Sequence, residues 1–220
     1  TISMKKGLTE LVFILDKSGS MSGLESDTLG GFNSMLKKQK LVEGECLITT
    51  VLYDEEVRLL HDRANIKAVQ PLTETDYCAG GSTALYDAMG MAMHKIANAY
   101  RHTDEAYRPE HVLFVVITDG FENSSRKYSG CRIRELVSKH KEKNHWQFIY
   151  LGANLDAKEA AKDVGIEEEM AQDFIADSTG VSLNMDVMSK TVEHVRACGN
   201  VPKNWKCTIA NDYQTRKKHK

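Results

Sequence analysis

Hydrophobic positions along the chain fall into short continuous runs separated by amphipathic stretches. The first run, Leu11-Val12-Phe13-Ile14-Leu15, is rich in branched side chains and stops at a carboxylate, Asp16. A half-exposed strand would alternate apolar with polar residues, so an unbroken run predicts a strand covered on both faces. His111 to Thr118 repeats the pattern and is followed by Asp119 and Gly120. Cys46 to Tyr53 and Glu56 to His61 are two further strands joined only by Asp54-Glu55. That connection forces antiparallel pairing, because a parallel pair needs a crossover of about a dozen residues. Trp146 to Leu151 predicts another strand, and Met170 to Ala176 a weaker last one.

The stretches between carry helical spacing. Leu29, Phe32, Met35 and Leu36 share one face of a helix over 25–38, with Lys37, Lys38 and Lys40 gathered at its end, where cations suit the dipole. Gly30-Gly31 inside it costs about 1 kcal/mol per residue against alanine, which predicts close packing there. Further helices are predicted over 84–100, 131–143 and 183–197, the last ended by Gly199. Asp156 and Glu159 begin a short helix that Gly165 ends. Residues 62–79 read as loop with one helical turn at 64–67, since Pro71 blocks a longer element. This alternation of strands and helices predicts an α/β fold, a mostly parallel sheet with helices on both faces.

The length of 220 residues suits one such domain. A net charge of -2 exerts no overall pull on nucleic acid or an anionic membrane. No apolar run approaches the roughly 20 residues of a membrane helix, and no signal-peptide pattern opens the chain, so a soluble protein is expected. The five cysteines are odd in number and contain no Cys-x-x-Cys pair. That pattern favours reduced thiols and a cytoplasmic location over a disulfide framework or a zinc site. The last twenty residues differ from the rest: Lys203, Lys206, Arg216, Lys217, Lys218 and Lys220 make them basic, with Trp205 able to pack back. The chain therefore divides into a domain over 1–199 and a basic extension over 200–220.

Candidate chemistry sits at the ends of the two buried strands, where open α/β sheets place their ligands. In Asp16-x-Ser18-x-Ser20, residues two apart in a tight loop can turn one carboxylate and two hydroxyls toward one point. Gly80-Gly81-Ser82-Thr83 delivers another hydroxyl just before a helix, and Asp119 supplies a second carboxylate. Few carboxylates among neutral oxygens suit Mg2+ (or Mn2+) better than Ca2+, which takes six to eight oxygens.

These elements resemble the metal-ion-dependent adhesion site (MIDAS) of the von Willebrand factor A (vWA) family. Asp16, Ser18, Ser20, Thr83 and Asp119 match its five positions in order and residue type. The resemblance spans about residues 8–199 and is closest to the stand-alone intracellular members of bacterial type. It implies a doubly wound, mostly parallel six-stranded sheet of Rossmann-like form, in the order 3-2-1-4-5-6, with strand 3 antiparallel at the edge. It implies that Ser18 and Ser20 bind the metal directly and Thr83 directly or through water. Asp16 and Asp119 would act largely through water, or one of them directly. The expected function is a protein-interaction module in which a partner's Glu or Asp completes the shell of the cation. No catalytic residue and no further cofactor is implied.

Other readings compete. Each of these residues taken alone could simply cap a helix. Asp87, in a first helical turn, suits the helix dipole and is given no binding role. An aspartate ending the first strand also resembles haloacid-dehalogenase-type phosphatases, but Ser18 stands where their acid-base aspartate belongs, and no lysine completes the pattern. No Gly-x-x-x-x-Gly-Lys loop exists for nucleotide phosphates. The basic extension offers nucleic-acid binding as a further alternative. A protein partner offering a Glu or Asp is the first choice.

Overall fold

The structure, a computed structural model, describes residues 4–218. Its centre is β1 (Lys5–Asp16), flanked by β2 (Glu45–Tyr53) and β4 (Pro109–Thr118). The sheet continues through β3 (Val57–Asn65) on one side and β5 (Gln147–Gly152) and β6 (Ala171–Asp173) on the other. The strand order is β3-β2-β1-β4-β5-β6. Only the β2–β3 pair is antiparallel; β1 pairs in parallel with both β2 and β4. The parallel core puts the carboxyl ends of β1, β4 and β5 along one rim.

Alternation along the buried strands divides the core in two. Leu11, Phe13 and Leu15 of β1 face one side with Leu113, Val115 and Ile117 of β4. Helices α1 (Glu25–Gln39) and α5 (Ser178–Cys198) cover that side, Phe32 and Met35 sharing one core with Met185 and Met188. Val12 and Ile14 face the other side with Val112, Phe114 and Val116. There α2 (Leu85–Arg101), α3 (Gly130–Asn144) and α4 (Ala157–Asp163) supply Ala88, Ala92, Ile133, Val137 and Ala161. His140 belongs to this second layer: it is buried and stacks on Trp146 with ring centroids 4.0 Å apart. Burial pushes its imidazole down to about 4, helped by the charge of Lys139.

Several elements depart from the bounds that periodicity suggests. Of the turn expected at 64–67, Ala64 and Asn65 instead end β3, which runs on to Asn65 through two irregularities in its pairing with β2. The turn itself follows, Ala68 N donating to Asn65 O at 2.9 Å. One of those irregularities places Arg63 at φ 44°, where its guanidinium reaches back to clamp the buried Glu10 carboxylate at 2.8 and 2.9 Å. Strand β6 shrinks to three residues, and α5 begins earlier than the spacing suggests, at Ser178, where Asp177 caps it by accepting from Gly180 N. Of Gly30-Gly31, only Gly31 is tight: a Cβ there would lie 2.7 Å from Met185 Cγ, whereas nothing lies within 4 Å of one at Gly30.

The extension after Gly199 is packed down through Trp205, as expected, and goes further. Residues Cys207–Lys217 form α6 against the β6 edge, with Trp205 and Ile209 buried in the core beneath α5. Lys206 Nζ donates to the carbonyls of Glu168 and Ala171 at 2.8 and 2.9 Å, and Trp205 Nε1 donates to Glu169 O. Arg216 is paired with Asp177 and Asp212. Lys203, Lys217 and Lys218 are exposed, and Lys220 lies outside the described residues. Among the described residues no helix is long and apolar enough to cross a membrane.

Candidate metal-binding face

Three loops meet at the carboxyl ends of β1 and β4, and each is bonded to the other two. Gly19 N donates to Gly81 O and Gly80 N to Lys17 O, both at 2.9 Å, tying the loop after β1 to the glycine-rich loop. Ser20 Oγ donates to Asp119 O at 2.8 Å, and Asp119 N donates to Asp16 Oδ2 at 3.0 Å, tying it to the loop after β4. Asn123 N and Ser124 N donate to Thr83 O while Thr83 N donates to Asn123 Oδ1, which closes the triangle. All five residues singled out in the sequence stand on this small face.

Their roles in the fold differ. Asp16 is 2 % exposed and holds three donors: Ser18 N on one oxygen, Thr118 Oγ1 and Asp119 N on the other. Its position is thus inside the frame of the site rather than on its outer rim. The Ser18 and Ser20 hydroxyls lie 3.2 Å apart, Ser18 buried and Ser20 exposed. Thr83 is buried just ahead of α2, whose N-cap residue Ala84 offers no side-chain cap. A simple capping role for Thr83, Ser18 or Ser20 is not what the structure shows: none of them caps a helix through its side chain.

Asp119 carries the feature that matters most. Asn154 Nδ2 donates to its Oδ1, but Oδ2 is buried with no hydrogen-bond partner among the described residues. Burial drives the Asp119 carboxyl up to about 6; the Asn154 bond opposes that shift and the neighbouring Asp16 charge adds to it. A buried carboxylate oxygen left unpaired beside a second carboxylate is costly unless a cation meets it. No group of three or more His, Cys, Asp or Glu side chains is arranged to hold a metal among the described residues. The face offers two carboxylates and three hydroxyls, a donor set that fits a small hard cation and not a soft one.

Other supporting residues escaped the sequence reading. Asn154 follows β5 as Asp16 ends β1 and Asp119 follows β4, and its φ of 57° is a conformation that asparagine tolerates. Tyr77 donates to Asp16 O at 2.5 Å. Gly81 has φ 78°, and a Cβ there would strike the Glu55 carboxylate, which accepts from Ser82 N at 3.0 Å. These contacts come from the hairpin tip and from residues far along the chain, with no local signature. The strand-end position of Asn154 is the one signal that could have found it.

A von Willebrand factor type A protein from Catenulispora acidiphila superposes with a TM-score of 0.54 over 87% of this chain. The fold is that of a vWA domain. At 14% identity the likeness is one of fold, and it covers 43% of that protein. Proximal thread matrix protein 1 from the mussel byssus, in a structure described as having a zinc-occupied MIDAS motif, gives a TM-score of 0.53 at 12% identity. It is matched over 88% of this chain and 47% of its own. The ArnB paralog VWA2 from Sulfolobus acidocaldarius gives 0.51 at 16% identity, over 87% and 46%. The chain thus spans less than half the length of each of these proteins. No protein-family model matches its sequence, and no curated protein does.

Proposed function

We propose that this chain is a cation-dependent protein-interaction module in which Asp16, Ser18, Ser20, Thr83 and Asp119 hold Mg2+ or Mn2+. The observation that carries the reading is the buried Asp119 Oδ2, without a hydrogen-bond partner among the described residues, on the face that also carries Ser18, Ser20 and Thr83. A bound divalent cation, balanced by only two carboxylates, stays electrophilic and favours a carboxylate from outside. Asp16 holds the loop after β1 against Asp119, while Ser18 and Ser20 present their oxygens from one turn. The expected partner is a protein offering Glu or Asp. The zinc-occupied motif described for the mussel protein supports divalent occupancy of this kind of site.

We take the chain to be a binding protein and not an enzyme, since the fold brings no reaction with it. A phosphatase using Asp16 as nucleophile is not favoured, because both oxygens of that carboxylate are engaged by protein donors. Nucleic-acid binding through the extension is not favoured either, since Lys206 and Arg216 are spent on contacts within the domain. Four exposed free cysteines support a reducing compartment, the cytoplasm, in a bacterial-type cell.

The test is a pull-down from native extract in Mg2+, in EDTA, and with Asp119→Asn. That variant removes a charge yet keeps an acceptor for Asn154. A partner retained only by the unaltered chain in Mg2+ is the expected result. A partner retained equally in all three conditions would move the interface away from this face.

A further inference from the structure

We propose that Asp87 is a positioning residue for the cation site, fixing the Thr83 hydroxyl through the segment 123–128. The inference rests on the cation-dependent reading above and deepens it.

A carboxylate that only complements a helix dipole would stand in solvent. Asp87 does not. Its Oδ2 accepts from Arg126 N, and its Oδ1 from both Lys127 N and Tyr128 N, each at 2.9 Å. Its own N–H donates to Ser125 Oγ at 3.0 Å. Four successive residues are therefore pinned to the first turn of α2, three of them by charge-assisted bonds. The Tyr128 ring completes the clasp by lying on Gly90, where a Cβ would come within 2.5 Å of it. That close approach is why the position on α2 is glycine.

The other end of the segment grips Thr83. Asn123 Oδ1 accepts from Thr83 N at 2.9 Å, and Thr83 O accepts from Asn123 N and Ser124 N at 2.9 and 3.2 Å. Both backbone groups of Thr83 are held by this segment and not by a cap of its own helix. The Ser124 hydroxyl is buried without a partner among the described residues, so it is not what holds the segment in place. Ser125 N also donates to Glu122 Oε1 at 2.8 Å, a bond within the loop itself. What ties residues 125–128 to α2 is therefore the Asp87 clasp, four residues beyond Thr83 in sequence, which closes a loop from helix to segment and back to Thr83.

The experiment is a titration with Mn2+, read by the electron paramagnetic resonance of the free ion, on the full chain. Asp87→Ala is expected to weaken Mn2+ binding tenfold or more. Asp87→Asn, which keeps the oxygen that serves two donors, should weaken it less. If Asp87 acts through Thr83, adding Asp87→Ala to Thr83→Ala should cost less than a further twofold. Unchanged affinity in Asp87→Ala, or a fully additive loss in the double variant, would overturn the inference. Melting in EDTA checks that the variants fold; if Asp87→Ala does not, Asp87→Asn and Gly90→Ala, which displaces Tyr128, carry the same cycle. Equal Mn2+ binding by the unaltered chain and Asp119→Asn would remove the cation site itself. A tight unaltered chain with a flat Asp87 series would remove only the role of Asp87.

Discussion

Asn154 holds one oxygen of Asp119 and leaves the other buried, without a hydrogen-bond partner among the described residues. One amide thereby orients the carboxylate and, on the proposed reading, leaves its other oxygen for the cation. The carboxyl is raised to about 6, so below that pH it carries a proton and a cation must displace it. Divalent-ion affinity should therefore fall as pH drops from 7.5 through 6. Isothermal titration with Mg2+ at pH 7.5, 6.5 and 5.5 measures this, with about half a proton released per ion near pH 6 and more at pH 5.5. Asn154→Ala, which removes an interaction that lowers the carboxyl, should shift the fall to higher pH.

Gly30 and Gly31 should respond to alanine with opposite signs. A Cβ at Gly30 meets open space, so Gly30→Ala should stabilise the chain by about 1 kcal/mol through helix propensity. At Gly31 the new carbon meets the Met185 side chain near its root, at 2.7 and 2.9 Å, where it cannot swing aside easily. Overpacking of this kind costs about 1–3 kcal/mol. Urea unfolding of the two variants resolves the pair.

His140 should govern part of the acid limb of stability. Its imidazole sits near 4 in the fold against 6.5 in the open chain, so the folded state binds fewer protons between those values. Its contribution is complete above about pH 6.5 and is lost as pH falls toward 4, a change of about 3 kcal/mol. His140→Phe keeps the stack on Trp146 and removes the proton. The difference in unfolding free energy between variant and parent should grow in the variant's favour from pH 7 to pH 4.5.

Removing residues 203–220 should weaken the domain and expose its edge. Trp205 and Ile209 are 5 % and 1 % exposed, and burying two such side chains is worth about 3–6 kcal/mol. The loss of Lys206 also frees the carbonyls of Glu168 and Ala171 beside β6. A lower melting temperature together with a rise in light scattering is expected, the latter from edge-to-edge association.

The sheet, and the meeting of the five candidate residues on one face, were legible because both rest on local signals. Unbroken apolar runs mark β1 and β4, four of the candidate ligands follow from where those runs stop, and Thr83 is marked by its glycine-rich loop ahead of a helix. What was hidden depends on distant partners. Strand β3 outlasts its hydrophobic pattern because its far end is held by the pairing with β2 and by the Arg63–Glu10 clamp. Helix α6 has little amphipathic pattern and is docked by Trp205, Lys206 and Arg216 onto groups far upstream. Asp87 looked like an ordinary first-turn carboxylate because nothing in its neighbourhood announces three amides some forty residues later.

The face assembled from residues 16–20, 80–83 and 119–123 exists only once β1 has paired with β4, Leu11 against Leu113, across nearly half the chain. Contacts of such long range carry a large loop-closure penalty and tend to be completed late in folding. An ion that needs the finished face would then hardly quicken folding, yet would hold the native state against opening, its effect falling on the unfolding rate. On that view cation supply would set how long each folded molecule lasts and leave unchanged how fast new ones appear.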